Sequence, residues 1–136
     1  MSHRKLTDAD YEALAEFRFS LRQFLAFSEA EAAASGLTPQ QHQALLVLRA
    51  ARQGSGTVGH LAERLILKPH SASGLVDRLV TLGLVERRSS ERDKRQALLA
   101  LTDRGQQVLE TLSDIHRQEI RRLRPLLMSL LASMPG

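Results

Sequence analysis

Apolar side chains recur at helical spacing along the first quarter of the chain. From about Thr7 to Ala34 there is no proline or glycine, and one face of this stretch carries a continuous apolar stripe. The stripe consists of Leu14, Phe17, Leu21, Phe24 and Leu25. Phe19 and Phe27 fall off it, so the pattern predicts a long amphipathic helix that contacts more than one surface.

Capping residues indicate where a second helix begins. A stop at Gly36 is followed by Thr38, a suitable N-cap, and by Pro39, which favours the first helical position. The apolar run Leu45 to Leu48 points in all directions around this helix. We therefore expect the second helix to be buried on several sides.

Two further helices follow a glycine-rich loop. Thr57 is a plausible cap for a short helix through "VGHLAERL", and after a break at "ILK" Pro69 begins a helix that continues to the region of Leu82 and Gly83. The predicted inward stripe of this helix is Ala72, Leu75, Val76, Leu79 and Leu82. Its outward side holds His70, Ser73, Gly74, Asp77 and Thr81, flanked by Ser71 and Arg78.

The segments "LVERR" and "QALLALT" are typical of two short strands. They predict a β-hairpin with a long charged tip from Ser89 to Lys94. Thr102 then caps a last helix, which Pro125 is expected to kink or restart. The order of helix, short turn, helix and basic hairpin is that of a winged helix-turn-helix, whose second helix enters the DNA major groove while the hairpin reaches the flanking backbone or minor groove.

Composition and charge fit this interpretation. The 136 residues are 43% hydrophobic, which suits one folded unit, and the formal net charge of +4 favours an anionic partner without naming it. The hairpin concentrates the cations Arg87, Arg88, Arg92, Lys94 and Arg95 against Glu91 and Asp93. Such cations would neutralise DNA phosphates and release counterions.

Several classes of protein are disfavoured. Without cysteine the chain has no disulfide, thiolate metal site or thiol switch. The N-terminus is charged where a signal peptide needs an apolar region, and no run of apolar residues is long enough to cross a membrane, so we expect a cytoplasmic protein.

Catalytic and metal-binding patterns are also missing. The glycine-rich "GSGTVG" has neither a preceding buried strand nor a phosphate-loop pattern. His42, His60, His70 and His116 are dispersed along the chain and are interpreted as packed or surface residues, although His70 falls on the outward, DNA-facing side of its helix. We expect no enzymatic activity, no metal and no cofactor.

Nearly the whole chain resembles the MarR (multiple-antibiotic-resistance regulator) family of transcriptional regulators. The matching segments are "LTPQQHQALLVL", "TVGHLAERL", "KPHSASGLVDRLVTLGLVERR" and "ERDKRQALLALTDRG", followed by the leucine-rich C-terminal helices. The most specific part is the Asp93-Lys94-Arg95 wing, followed by a strand, by Leu101 and Thr102, and by Gly105.

The resemblance implies a fold that is mainly α with a small β-hairpin, in a single unit over residues 1–136. A winged helix-turn-helix lobe would occupy residues 37–102, and dimerisation helices would occupy residues 6–35 and 103–134. Members of this family form dimers, bind palindromic operators in double-stranded DNA, and release them when a small molecule binds. The expected partners are therefore DNA, a second copy of the chain and a small organic effector.

Carried over by position, residues 69–82 would form the recognition helix. The expected DNA-contacting residues are Lys68, His70, Ser71, Ser73, Arg78, Arg87, Arg88, Arg92, Asp93, Lys94 and Arg95. Asp93 would orient a wing arginine through a charge-assisted hydrogen bond. Lys68 stands where an N-capping serine or threonine is common, and its cation suits that end of the helix only if it points at a phosphate.

The outer helices carry more apolar surface than a small central lobe covers, which favours a homodimer. The residues expected at its interface are Leu14, Phe17, Leu21, Leu123, Leu126, Leu127 and Leu130. The first-helix phenylalanines suit either an effector pocket or the packed core, and the effector-binding residues stay unassigned. The main hypothesis is a sequence-specific, ligand-responsive repressor, and the alternative is a winged-helix protein-interaction module without specific DNA binding.

Overall fold

The computed structural model describes residues 4–89 and 97–133 of the chain. In chain order the elements are α1 (Asp8–Ala34), α2 (Pro39–Ala50), α3 (Val58–Leu65), α4 (Pro69–Thr81), β1 (Val85–Ser89), β2 (Ala97–Leu101) and α5 (Asp103–Ser133). The predicted fold, mainly α with a small antiparallel hairpin in a winged helix-turn-helix, is confirmed.

Threonine caps fix the starts of the first three helices. Thr7, Thr38 and Thr57 each accept a hydrogen bond from the backbone N–H three residues further on. In α1 and α2 the bond is reciprocated, because the side chains of Asp10 and Gln41 accept from the backbone N–H of the capping threonine. The helix starts predicted from Thr38 and Thr57 are confirmed, and Thr7 is a further cap that the sequence analysis did not name.

The turn between α3 and α4 has an unusual backbone. Ile66 caps α3 in the left-handed conformation, at φ 55° and ψ 50°, which is unfavourable for a β-branched residue. Its side chain is 92% exposed. The turn leads into α4, whose N-cap Lys68 makes no side-chain capping bond, as the sequence suggested.

The hairpin pairs β1 and β2 from Val85 opposite Leu101 to Ser89 opposite Ala97. Ser89 is therefore a strand residue, and the expectation that the tip begins there is wrong. The rest of the predicted tip lies in residues 90–96, outside the described residues. The Leu99 N–H donates to the Gly56 carbonyl at 2.7 Å, which ties the loop before α3 to the hairpin.

The start of α5 is held against the turn that follows α4. The Thr102 hydroxyl donates to the Gly83 carbonyl at 2.6 Å and accepts from the Gly105 N–H at 3.1 Å. The Thr102 N–H donates to the Leu84 carbonyl at 3.1 Å. A Cβ at Gly105 would lie 2.1 Å from that same carbonyl oxygen, so the helix approaches this closely only because residue 105 is glycine. We call these contacts the α5 latch.

One apolar core lies beneath the helix-turn-helix. Its largest fully buried side chains are Leu45, Leu61, Val76, Leu79, Val85 and Leu112. Two predicted core positions are wrong: Leu46 of α2 is 49% exposed, and Leu82, which follows α4, is also exposed. Leu46 faces away from the elements that α2 packs against, and Leu82 lies in the α4 C-cap, where the chain turns away from the helix.

The outer helices α1 and α5 pack against each other. Pro125 lies inside α5, which continues to Ser133, so the predicted restart at this proline is wrong. Large apolar side chains stay exposed on both helices: Tyr11, Leu14, Phe19, Leu21 and Leu25 on α1, and Ile120, Met128 and Leu131 on α5. Within the described residues, no helix is long and apolar enough to cross a membrane.

Candidate nucleic-acid interface

The exposed face of α4 is polar along its length. Ala72, Leu75, Val76 and Leu79 are buried beneath the helix, and their spacing turns the residues between them outward. The outward, exposed residues are His70, Ser71, Ser73, Asp77, Arg78 and Thr81. Ser71 and Ser73 are small donors and acceptors near the N-terminus of the helix, which lets a base edge approach closely.

The N-terminus of α4 is suited to an anion. The first N–H groups of a helix have no partner within it, and the helix dipole favours negative charge at this end. Lys68 is exposed as the N-cap and makes no capping bond, so its ammonium group is available to the same anion. Lysine and the helix N-terminus together form a suitable site for a DNA phosphate.

The hairpin is tied to α4 by an ion pair. Arg87 of β1 donates to the carboxylate of Asp77 on the outward face of α4. On the opposite face of β1, Arg88 donates to Glu86. Both pairs are largely exposed, so they contribute little to stability and leave the guanidinium groups able to exchange to a phosphate.

The structure brings most of the described DNA-contact candidates together at α4 and β1, whereas Arg88 lies on the face of β1 opposite Arg87. Lys68, His70, Ser71, Ser73 and Arg78 lie on or just before α4, and the pair between Asp77 and Arg87 connects that helix to β1. Arg92, Asp93, Lys94 and Arg95 lie outside the described residues. Their predicted roles stay predictions.

The residues predicted for a dimer interface differ in exposure. Leu14 and Leu21 are 46% and 44% exposed. Phe17, Leu126 and Leu127 are half-buried, whereas Leu123 and Leu130 are already buried within the single chain. The apolar surface available to a partner is therefore centred on α1 and on exposed α5 residues that the prediction omitted, such as Ile120 and Leu131.

The sequence interpretation missed a buried contact between two histidines. The rings of His42 in α2 and His116 in α5 lie 4.8 Å apart between centroids, so two histidines that are distant in the sequence are in contact in the fold. Both are buried, which confirms that they are packed residues. His116 donates from Nδ1 to the Leu112 carbonyl at 2.6 Å, and its Nε2 lies 2.8 Å from the Ser28 hydroxyl of α1. The rings of Phe24 and Phe27 pack edge-on against His116.

His42 is the less satisfied member of this pair. It is 5% exposed, and its Nδ1 is buried without a hydrogen-bond partner in the part of the chain that the structure describes. Burial, and to a lesser degree the neighbouring His116, lowers the pKa of His42 below its ordinary value of 6.5. Residues 4–89 and 97–133 contain no group of three His, Asp or Glu side chains that could hold a metal ion.

The chain is similar to known proteins in both sequence and fold. Residues 35–96 match the model of the MarR family. A 70-residue segment is 37% identical to the HTH-type transcriptional repressor MdtR of Bacillus subtilis, and it covers 52% of this chain. The same segment spans 44% of that relative, which is less than half of its length.

Two solved structures show how widely the fold is shared. A MepR variant of Staphylococcus aureus bound to an oligodeoxyribonucleotide superimposes with a TM-score of 0.71 over 96% of this chain and 100% of that chain, at 21% identity. RV1404 from Mycobacterium tuberculosis gives a TM-score of 0.70 at 28% identity, covering 90% of this chain and 82% of that one. The similarity therefore includes α1 and α5 as well as the winged helix-turn-helix.

Proposed function

Because residues 35–96, which include the helix-turn-helix, match the model of the MarR family, we propose that this chain is a MarR-type, sequence-specific regulator of transcription that binds double-stranded DNA. It acts as a repressor that binds a palindromic operator as a homodimer and responds to a ligand. The observation that carries the proposal is the exposed polar face of α4, with Ser71 and Ser73 at its N-terminal end and the cation of Lys68 beside it.

The contacts of α4 and the hairpin would differ in kind. In winged helix-turn-helix proteins the recognition helix reads base edges in the major groove, while cations beside it contact phosphates. Ser73 suits the first role, because it is small, polar and exposed. Lys68, Arg87, Arg88 and the cations of residues 90–96 suit the second. The MepR variant bound to an oligodeoxyribonucleotide supports the proposal by showing the same fold on DNA.

A homodimer is proposed from the apolar side chains exposed on the outer helices. Leu14, Leu21 and Leu25 of α1, with Ile120 and Leu131 of α5, are exposed in the single chain, and a second copy would bury them. A two-fold axis would then place two recognition helices on half-sites about 10 base pairs apart. Control by a small organic molecule is proposed from the family, and the chain has no cysteine for a thiol-based alternative.

The first experiment is selection of bound duplexes from a random pool at a stated salt concentration, because affinity for DNA depends strongly on salt. We expect an enriched palindrome with half-sites about 10 base pairs apart. Recovery of sequences with no common motif would contradict specific readout. Loss of all DNA binding at physiological salt would favour the protein-interaction module.

The second experiment separates helix from wing by titrating variants against operator and scrambled duplexes at several salt concentrations. Ser73→Leu should weaken operator binding by about tenfold or more and scrambled binding much less, because it blocks base readout. Arg95→Ala should weaken both by similar factors and make the salt slope shallower by about one unit.

The matched control for the helix variant is Thr111→Leu, which places the same side chain at an exposed position of α5, away from α4. It should leave both affinities unchanged. If Ser73→Leu and Arg95→Ala fold normally and bind operator like the parent protein, the assignment of α4 and the hairpin to DNA is wrong.

A further inference from the structure

The contact between His42 and His116 joins the two parts of the molecule. His42 lies on α2, which packs against α3, α4 and β2 in the helix-turn-helix lobe, and His116 lies on α5. The hydroxyl of Ser28 brings in α1 at 2.8 Å from His116 Nε2. One cluster of side chains therefore fixes α2 against both outer helices.

The hydrogen bonds of His116 indicate which tautomer its neutral ring adopts. The Leu112 carbonyl can only accept, so Nδ1 of His116 carries a proton, and Nε2 accepts from the Ser28 hydroxyl when the ring is neutral. If His116 gains a second proton, the Ser28 oxygen can become the acceptor. His116 is thus satisfied in either charge state.

The His42 ring, in contrast, is not satisfied in both charge states. Its Nδ1 is buried with no acceptor among the described residues, and its ring lies against a second imidazole 4.8 Å away. In the neutral tautomer with the proton on Nε2, Nδ1 is an uncharged acceptor, and the free-energy cost of leaving it without a donor is small. In the protonated ring Nδ1 becomes a charged donor buried without an acceptor, and this is costly.

The charged groups on the surrounding helices do not offset that cost. On α1 the half-buried Glu31 lies one turn after Ser28, and on α5 Glu119 lies one turn after His116 but accepts from Arg122 at 2.5 Å. Neither contributes to the lowered pKa of His42, which has burial as its first cause and His116 as its second. α2 and β2 contain no carboxylate. The other described titratable groups of the lobe are exposed or half-buried: Arg49 and Arg52 at the end of α2, His60, Glu63 and Arg64 on α3, Lys68, His70, Asp77 and Arg78 at α4, and Glu86, Arg87 and Arg88 on β1.

We propose that the His42–His116 contact is a proton-operated joint, in which protonation of His42 loosens α2 from α1 and α5. In the neutral state the joint holds the helix-turn-helix lobe in a fixed position on the outer helices. In acid the buried positive charge is relieved by opening the contact, and the lobe gains freedom. The effect on DNA affinity rests on the function proposed above, whereas the loosening itself does not.

The lowered pKa of His42 determines in which direction the stability of the contact changes with pH. The pKa of His42 is lower in the folded chain than its ordinary value of 6.5. The closed contact is therefore fully stabilised by neutral His42 at pH values above 6.5. The stabilisation is lost progressively as the pH falls through the lowered pKa. Loosening is therefore expected below neutrality and absent above pH 7.

The loosening is tested on the full chain without DNA, by hydrogen exchange of the α2 amides and NMR titration of the histidines between pH 7.5 and 5.5. After correction for the intrinsic pH dependence of exchange, we expect α2 to lose protection by about fivefold in acid. The titration of His42 should accompany this loss. In His42→Phe, which has a ring of similar shape and no proton to gain, the protection should stay constant.

Two further variants keep the result interpretable. If the His42→Phe protein does not fold, His42→Leu is used instead, and the protection of α2 should again stay constant with pH. His60→Gln changes a half-buried histidine of α3 outside the contact and should retain the full acid response. Equal acid responses in the parent protein and His42→Phe, or no change of α2 protection in the parent, would overturn the joint.

Coupling to DNA is then measured as operator affinity at the same two pH values. His70 lies on the proposed DNA face, so these titrations use a His70→Gln background to remove its direct contribution to binding. We expect the dissociation constant to rise about fivefold at pH 5.5, and less than about twofold when His42→Phe is added. An equal rise in both proteins would overturn the coupling. Absence of operator binding at pH 7.5 in the parent chain would reject the proposed function, and hydrogen exchange would still decide the joint.

Discussion

The helix-turn-helix lobe and the outer helices bury their apolar side chains in different ways. The lobe closes over its own core, in which Leu45, Leu61 and Leu79 are fully buried. The outer helices α1 and α5 contact each other but leave a row of large apolar side chains exposed. The lobe therefore covers its core within one chain, whereas α1 and α5 leave apolar surface that a second copy, as proposed, would bury.

Exposed apolar residues consequently differ in meaning between the two regions. In the lobe they are isolated: Leu46 faces outward on α2, Ile66 lies in the turn after α3, and Leu82 lies at the C-cap of α4. On α1 they recur on one face, as with Leu14, Leu21 and Leu25. A single exposed leucine is ordinary on a soluble protein, and a repeated row is typical of an interface.

The largest effect is expected where the lobe is most tightly closed. Gly105→Ala would place a Cβ 2.1 Å from the Leu84 carbonyl oxygen in the α5 latch, so the backbone must shift. We expect the free energy of unfolding to fall by about 3 kcal/mol, as for severe overpacking of a core. Chemical denaturation measures this change.

Gly74→Ala in α4 is the matched control. A Cβ at Gly74 meets nothing within 4 Å, and alanine favours a helix, so this variant should gain about 0.5–1 kcal/mol of stability. Equal stability of the parent protein and Gly105→Ala would show that the lobe is not closed by the latch.

The second effect concerns dimerisation and tests the exposed apolar row on α1. Leu21→Glu places a charge in the exposed row of α1 and should weaken the homodimer by about 2 kcal/mol, or roughly thirtyfold in Kd, because the carboxylate would be buried in the interface. Sedimentation equilibrium measures the Kd. The control is Leu46→Glu in α2, where the leucine is 49% exposed against 44% for Leu21. If both variants dimerise like the parent chain, α1 is not the interface.

The smallest effect tests the isolated exposed residue. Ile66→Gly removes a β-branched side chain from the left-handed conformation, where glycine is unstrained. The relief exceeds the added entropy of glycine in the unfolded chain, so we expect a gain of about 0.5–1 kcal/mol in thermal or chemical unfolding. Ile66→Ala keeps a Cβ and should gain less. A loss of stability in Ile66→Gly would mean that the Ile66 side chain makes contacts that the single chain does not show.

Local signals in the sequence predicted most of the fold. Thr7, Thr38 and Thr57 act through backbone bonds three residues away, and Pro69 favours a helix start by its own geometry, so each is readable from a short window. The winged order of elements followed from the same signals. Ser71 and Ser73 could be assigned to the outward face because a helix has a fixed period.

Features that depend on packing between distant segments were not predictable. Leu46 is exposed because its neighbours in space, rather than its neighbours in sequence, decide which face of α2 is covered. His42 and His116 come into contact only when α1, α2 and α5 pack together, and the spacing of the two residues in the sequence does not predict the contact. Pro125 was expected to kink or restart the last helix, yet α5 continues through it to Ser133 without a restart.

The α5 latch gives this molecule a lever. α5 has 31 residues and rises 1.5 Å per residue, so it is about 46 Å long, with its fulcrum at Gly105 against the turn that follows α4. A tilt of about 5° at that fulcrum displaces the far end of such a rod by about 4 Å. A displacement of a few ångströms among the outer helices would thus reach the turn after α4 as a rotation of a few degrees.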